Sequence, residues 1–126
     1  ELLMKAPDIN TETGIRDRAI LEVFYSTGVR KSELLRLTVD DIDFSRGVVS
    51  VRLGKGGKDR VVPISKRALY WVDQYLKEVR LFYLAGNTRG YKGRGDIATN
   101  PSQTLFLGQY GSPIKKNSWE YREHVP

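Results

Sequence analysis

Residues 26–37 read STGVRKSELLRL and join two helical patterns through a single glycine. Upstream, apolar residues recur at helical spacing over 15–27, which predicts an amphipathic helix. Gly28 is a suitable end for it, because glycine readily adopts the left-handed conformation that terminates many helices. Ser32 is a suitable N-cap for a second, short helix that ends at the last leucine of the run. The stretch therefore predicts two helices that meet at a corner, with Arg30 between them.

The first helical pattern also has a polar side. Arg16, Asp17 and Glu22 lie opposite the apolar residues at helical spacing, so they are predicted to face solvent. The residues predicted to face the core are Ile15, Ala19, Ile20, Val23 and Phe24.

Arg30 and Glu33 lie three residues apart at the corner, which places them about one helical turn from each other. Glu33 is within reach of the Arg30 guanidinium and would hold it in one orientation. A held guanidinium can contact a phosphate through two parallel hydrogen bonds. The residues alone leave a second interpretation open, in which Arg30 is a surface arginine and Glu33 an ordinary acidic residue of a helix N-terminus.

Beyond the corner, the spacing of apolar residues changes from helical to alternating. A short capped turn is predicted at 38–41, a strand at 47–53 (GVVSVRL) and a returning strand at 60–64 (RVVPI). The glycine-rich segment GKGGK at 54–58 joins the two strands, so we expect a hairpin with a basic tip. A third strand is predicted at 105–107.

A longer helix is predicted to follow the hairpin. Ser65 is a suitable N-cap, and apolar residues recur at helical spacing until Gly86. Tyr70, Trp71 and Tyr75 lie in this pattern and are predicted to belong to the core. The expected fold is therefore α+β, mainly helical with a small antiparallel sheet.

Residues 87–104 form a long polar connection without an apolar period. A connection of this length is usually functional or disordered. Its segment RGYKGR at 89–94 could follow a phosphate backbone, with Tyr91 available for stacking on a base. The other interpretation of this segment is a disordered, solvated linker, and we prefer it. We expect no domain boundary within 1–126.

Composition narrows the classes of function. The chain has 126 residues, of which 40% are hydrophobic, as expected for one globular domain. The absence of cysteine excludes disulfides and thiolate metal sites and favours a cytoplasmic setting, and the single His124 cannot form a histidine pair. No apolar run approaches the roughly 20 residues that a membrane span needs. We therefore expect neither a metal site nor a membrane anchor.

Charge is unevenly distributed along the chain. The net charge is +6; residues 1–45 carry 6 Lys/Arg against 9 Asp/Glu, and residues 46–126 carry 15 against 6. A basic half suits a polyanionic partner such as nucleic acid. An ordinary solvated basic face is equally compatible with these numbers.

Several segments together resemble one family. The run TGVRKSELLRL at 27–37 resembles the first catalytic-arginine motif of the tyrosine recombinases, which include the phage integrases and the Xer-type chromosome-resolving enzymes. The segment RDRAILEVFY at 16–25 resembles the helix that leads into that motif. DID at 41–43 and GKGGKDRVVPI at 54–64 resemble the segments that follow it, in family order. The resemblance covers most of residues 1–85.

This resemblance implies roles for the matched residues. Arg30 would bind a non-bridging oxygen of the scissile phosphate and stabilise the charge that its oxygens gather in the five-coordinate state. Lys55 would protonate the departing 5′ oxygen and touch a base edge in the minor groove. Lys58 lies on the same turn and is the alternative candidate for the catalytic lysine. Glu33 would support Arg30.

The remaining hairpin cations are predicted to contact DNA. Arg52, Lys58 and Arg60 are the residues concerned, although Lys58 and Arg60 could instead be solvated or pair with acids. The resemblance implies double-stranded DNA as the partner, self-association on DNA in the full-length protein, a nucleoid-associated location and no cofactor. GKGGKD is not a nucleotide-binding P-loop, because its glycine spacing is too short and Asp59 follows the lysine.

Family residues that complete the active site do not occur in this sequence. They are a histidine-arginine segment, a later histidine or tryptophan, and a tyrosine nucleophile; Tyr121 precedes the place where the nucleophile would lie. We therefore expect a partial catalytic domain over 1–126 that does not cut DNA by itself, while the full-length protein recombines or integrates DNA through a 3′-phosphotyrosyl intermediate. The alternatives are a non-catalytic DNA-binding module and a basic surface used for protein assembly.

Overall fold

The computed structural model describes residues 6–52, 59–85 and 103–114. A 3-10 turn at Val39–Asp41 precedes the first strand, and a π-helical turn at Leu76–Arg80 joins the last two helices. The helices are α1 (Glu12–Thr27), α2 (Lys31–Leu35), α3 (Lys66–Tyr75) and α4 (Leu81–Leu84), and the strands are β1 (Ile42–Asp43), β2 (Val48–Val51) and β3 (Arg60–Pro63). This is the predicted α+β class, mainly helical with a small antiparallel sheet.

The corner between α1 and α2 forms as the sequence predicts, with one correction. Gly28 adopts the left-handed conformation at φ 70° and its N–H donates to the Phe24 carbonyl at 2.9 Å, which ends α1. The predicted N-cap Ser32 is wrong, because the N-cap of α2 is Arg30, with ψ at 157°. The Glu33 carboxylate accepts the N–H of Arg30 at 2.9 Å, so the helix begins before Ser32.

The sheet has the order β1-β2-β3, and both neighbouring pairs are antiparallel. The predicted hairpin is confirmed by β2 and β3, in which Val51 lies opposite Arg60. Its predicted turn at 54–58 lies outside the described residues. The third strand is β1, not 105–107 as predicted from the sequence. Strand β1 has only two residues, which is too short for an alternating pattern that would predict it from the sequence.

The segment 105–107 is buried but is not a strand of this sheet. The Leu105 N–H donates to the Leu37 carbonyl at 2.9 Å, and the Tyr75 hydroxyl donates to the Leu105 carbonyl at 2.7 Å. The same hydroxyl accepts the N–H of Leu107 at 2.9 Å. Backbone groups that a neighbouring strand would satisfy are thus satisfied mainly by side chains.

The core lies between α1, α3 and the sheet, where α1 packs along α3. Three predicted core aromatics have different fates. Tyr75 is fully buried and Trp71 is half-buried against the core, but Tyr70 is 55% exposed, so its assignment to the core is wrong. At about 100° per residue, Tyr70 lies on the side of α3 opposite to the buried Ala68, Val72 and Tyr75.

The polar side of α1 also differs from the prediction. Glu22 is 2% exposed and Asp17 is 7% exposed, although both were expected to face solvent. One oxygen of Glu22 (Oε2) accepts from Nε of Arg18 at 2.8 Å and from Nε of Arg67 at 3.0 Å. The Arg18 guanidinium also lies 4.5 Å from the centre of the Trp71 ring, a cation–π contact. Ion pairing with arginines, one of them on α3, allows this charged side of α1 to be buried.

Candidate active site

The Glu33 carboxylate is the centre of the candidate site. Its side chain is buried in the corner and contacts two other residues. Oε1 accepts the backbone N–H of Arg30 at 2.9 Å. Arg60, the first residue of β3, donates from Nη1 to Oε2 at 3.1 Å and from Nη2 to Oε1 at 3.2 Å. One buried acid thus joins the start of α2 to the start of β3.

These contacts control the ionisation of Glu33. The hydrogen bonds from Arg60 and from the Arg30 backbone outweigh the effect of burial and lower the pKa of Glu33 to about 2. The same pair raises the pKa of Arg60 above its ordinary value. Both groups are therefore charged throughout the physiological range of pH.

Arg30 and Glu33 are in contact, as predicted, but through different atoms. Glu33 holds the backbone of Arg30, whereas we expected it to hold the guanidinium. A guanidinium carries only hydrogen-bond donors, so the Arg30 side chain has no part in capping α2. The side chain is exposed, and within residues 6–52, 59–85 and 103–114 it makes no hydrogen bond or ion pair. The corner fixes the backbone of Arg30 and leaves its guanidinium accessible from solvent.

Arg52 is held by a second acid. Nη2 of Arg52 lies 2.8 and 3.0 Å from the two carboxylate oxygens of Asp41, which also accepts the N–H of Thr38 at 2.8 Å. This pairing raises the pKa of Arg52. Nη2 of Arg36 donates to the Arg52 carbonyl at 3.0 Å. The residue that follows β2 is therefore bound on both its side chain and its backbone.

The structure brings together three of the six residues that the sequence singles out, namely Arg30, Glu33 and Arg60. Arg52 is bound by a different acid, Asp41, which lies in the 3-10 turn after α2. Lys55 and Lys58 lie outside the described residues. Asp41 was predicted as the cap of a short turn and as part of the DID segment, and its pairing with Arg52, 11 residues later, has no local signal in the sequence.

The described part of the chain shows no sign of a membrane span or of a metal site. No helix there is long and apolar enough to cross a membrane. No group of three or more His, Cys, Asp or Glu residues in those ranges is placed to hold a metal ion.

Comparisons with known proteins agree on one family. Residues 1–122 match the phage integrase family. The chain is 40% identical over 114 residues to "Tyrosine recombinase XerC 2" of Ralstonia nicotianae, covering 90% of this chain and 29% of that protein. It is 36% identical over 122 residues to "Tyrosine recombinase XerD" of Pseudomonas aeruginosa, covering 97% of this chain and 36% of that protein.

A solved structure gives the same result. The crystal structure of XerA recombinase superimposes with a TM-score of 0.68 and 26% sequence identity, over 92% of this chain and 34% of that one. The chain thus spans about a third of the length of the relatives that it matches. Because the family match extends over nearly the whole sequence, the chain belongs to the phage integrase family.

Proposed function

We propose that this chain is the arginine-bearing part of a tyrosine recombinase catalytic domain that acts on double-stranded DNA. In the whole protein it would take part in site-specific breakage and rejoining of strands through a 3′-phosphotyrosyl intermediate. Self-association on DNA and a location with the nucleoid belong to the same proposal. The family supports it, and the Arg30 corner is the single observation that carries it.

Arg30 is suited to bind the scissile phosphate. Its backbone is fixed by the buried Glu33 carboxylate, while its guanidinium is exposed and forms no hydrogen bond or ion pair among the described residues. A cation at this place would stabilise the charge that develops on the equatorial phosphate oxygens. The guanidinium fork can contact two of those oxygens at once.

Lys55 completes the chemistry that the proposal gives to this chain. It would donate a proton to the departing 5′ oxygen, which requires its ammonium to reach the phosphate bound by Arg30. Lys58 would bind a neighbouring phosphate as a point charge. Arg52 and Arg60 differ from these lysines, because each is bound to a carboxylate.

The proposal assigns the nucleophile to residues that this sequence does not contain. Neither the histidine-arginine segment nor the nucleophilic tyrosine of the family occurs in the 126 residues, and Tyr121 precedes the expected position. We therefore expect no covalent protein–DNA adduct when the chain alone is incubated with a nicked suicide substrate. An adduct that maps to Tyr121 would contradict this assignment.

A chimera tests the role of Arg30. Residues 1–122 would replace the matching segment of one Xer recombinase, and covalent adducts would be followed on denaturing gels. We expect the chimera to form adducts and Arg30→Ala to slow them by about 100- to 1,000-fold, the usual effect of removing one charge-stabilising donor. Arg46→Ala is the control, because Arg46 is largely exposed. If Arg30→Ala reacts like the control, the proposed role is wrong; binding without adducts in any variant would favour a non-catalytic DNA-binding module.

A further inference from the structure

We infer that Arg52 and Arg60 are positioning residues rather than phosphate ligands. Each is held by a carboxylate of the segment that runs from α2 into the 3-10 turn. Together they fix the ends of β2 and β3 against the helix that carries Arg30. The inference rests on the proposed function, because it concerns how Lys55 and Arg30 come to act on one phosphate.

The two arginines occupy equivalent places on the hairpin. Val51 and Arg60 form the pair of the β2–β3 ladder that lies nearest to the connection between the strands, and Arg52 directly follows β2. Lys55 and Lys58 lie between Arg52 and Arg60 in the sequence. The chain therefore leaves and re-enters the sheet at two residues that are both bound to acids.

Each acid is itself fixed on the α2 side. Glu33 is 6% exposed and accepts the N–H of Arg30, and Asp41 is 9% exposed and accepts the N–H of Thr38. Both carboxylates consequently have a backbone partner on their own segment and a guanidinium on the hairpin. The Arg36–Arg52 hydrogen bond adds a third link between the same two segments. Three links of this kind restrict rotation of the hairpin relative to α2.

Charge argues against a primary phosphate role for either arginine. Arg60 uses Nη1 and Nη2 on Glu33, and the charge of Arg52 is balanced by Asp41. A phosphate that took these donors would leave a buried carboxylate without its cation, which is strongly unfavourable. The side chains of Arg60 and Arg52 are 41% and 49% exposed, so DNA can reach both, and a phosphate would have to compete with the carboxylate that each one binds. The Arg30 side chain forms no ion pair in the described part of the chain, and its charge contributes only a smaller part of the lowering of the Glu33 pKa.

The first experiment measures how DNA binding by this chain depends on salt. Fluorescence anisotropy on a labelled duplex would compare Arg60→Gln and Arg52→Gln with the matched control Lys58→Gln, which changes a neighbouring cation of the same hairpin. Each phosphate contact contributes about 0.9 to the slope of log affinity against log salt. We expect Lys58→Gln to lower the slope by about that amount and the two arginine variants to leave it unchanged. Equal losses in all three variants would overturn the inference.

Glu33→Gln should change the salt dependence of DNA binding in the direction opposite to Lys58→Gln. The amide keeps the shape of the side chain and removes the negative charge, so Arg60 becomes available to a phosphate. We expect the salt slope to steepen by up to about 0.9. An unchanged slope in a variant that stays folded would count against the pairing as the reason that Arg60 does not bind DNA.

The second experiment separates positioning from charge in the recombinase chimera. Arg60→Lys keeps the positive charge but loses the planar fork that spans both oxygens of Glu33. We expect adduct formation to slow at least 10-fold while the Kd for DNA changes less than 2-fold. If Arg60 is a phosphate ligand instead, Arg60→Lys will keep most of the rate, since lysine also binds phosphate.

The third experiment does not depend on DNA at all. Amide hydrogen exchange at Val51 and Arg60 reports the stability of the last described pair of the ladder. We expect exchange to become at least 10-fold faster in Arg60→Gln and Arg52→Gln and to stay unchanged in Lys58→Gln. Unchanged exchange in the arginine variants would refute the anchoring. If neither the parent chain nor any variant binds DNA, the proposed function is refuted. The hydrogen-exchange rates would still test whether the two arginines anchor the hairpin.

Discussion

Two glutamates are buried among the described residues, and they use similar chemistry for different purposes. Glu22 binds Arg18 on its own helix and Arg67 on α3, so all its partners are side chains that join two core helices. Glu33 binds Arg60 on β3, but its second partner is the backbone N–H of Arg30. The first acid holds the core together, and the second holds the residue that we place at the phosphate. Similar ion pairs can therefore be separated by experiment into structural and functional ones.

The largest effect is expected at Glu22. Glu22→Ala leaves Arg18, whose side chain is only 12% exposed, without its carboxylate. Removing one partner of a buried ion pair usually costs about 3–5 kcal/mol, so we expect the free energy of unfolding in urea to fall by that amount. Glu78→Ala, which changes an exposed glutamate in the π-helical turn, should cost less than about 0.5 kcal/mol. If Glu22→Ala loses no more stability than Glu78→Ala, the ion pairs of Glu22 do not stabilise the fold.

A smaller and pH-dependent effect is expected at Glu33. Because the pKa of Glu33 is lowered from 4.5 to about 2, its ionised form stabilises the folded state fully above about pH 4.5. That contribution disappears as the pH falls towards 2. Glutamine cannot ionise, so Glu33→Gln should lower the Tm most at neutral pH, and the difference from the parent chain should shrink between pH 4.5 and about 2. Thermal unfolding at a series of pH values measures it, and a Tm difference that is constant over this interval would contradict the assigned pKa.

The smallest effect is expected at an exposed pair. Nη1 of Arg46 lies 3.9 Å from the Asp43 carboxylate, and the Arg46 side chain is 76% exposed. Solvent screens such pairs, so Arg46→Gln should change the free energy of unfolding by less than about 0.5 kcal/mol. Urea denaturation at low and high salt checks this. A larger loss of stability would mean that burial does not explain why the ion pairs of Glu22 and Glu33 matter more than that of the surface residue Asp43.

Local spacing was sufficient to predict most of the elements. The end of α1 at Gly28, the hairpin and the N-cap Ser65 follow from residues within one or two turns of each other, and all three are present. Arg30 and Glu33 were singled out for the same reason. The start of α2 was misplaced because a glutamate reaching back to the backbone competes with a serine cap, and the sequence contains both.

Long-range pairing could not be predicted. Arg60 lies 27 residues from Glu33, and Arg67 lies 45 residues from Glu22. A sequence shows that acids and bases exist but not which of them meet, so Glu22 was expected in solvent and Arg60 on DNA. The first expectation is wrong, and the second remains to be tested.

Tyr75 has a consequence for how the chain can change in length. Its hydroxyl donates to the carbonyl of Leu105 and accepts the N–H of Leu107, so a single phenol marks one position along the returning segment. Nε of Arg80 donates to the Leu105 carbonyl and to that of Thr104 beside it. A slip of the segment by one residue would break these hydrogen bonds together. Insertions or deletions between residues 86 and 102 should therefore leave the register of the buried segment unchanged, and relatives can differ there in length while keeping the same core.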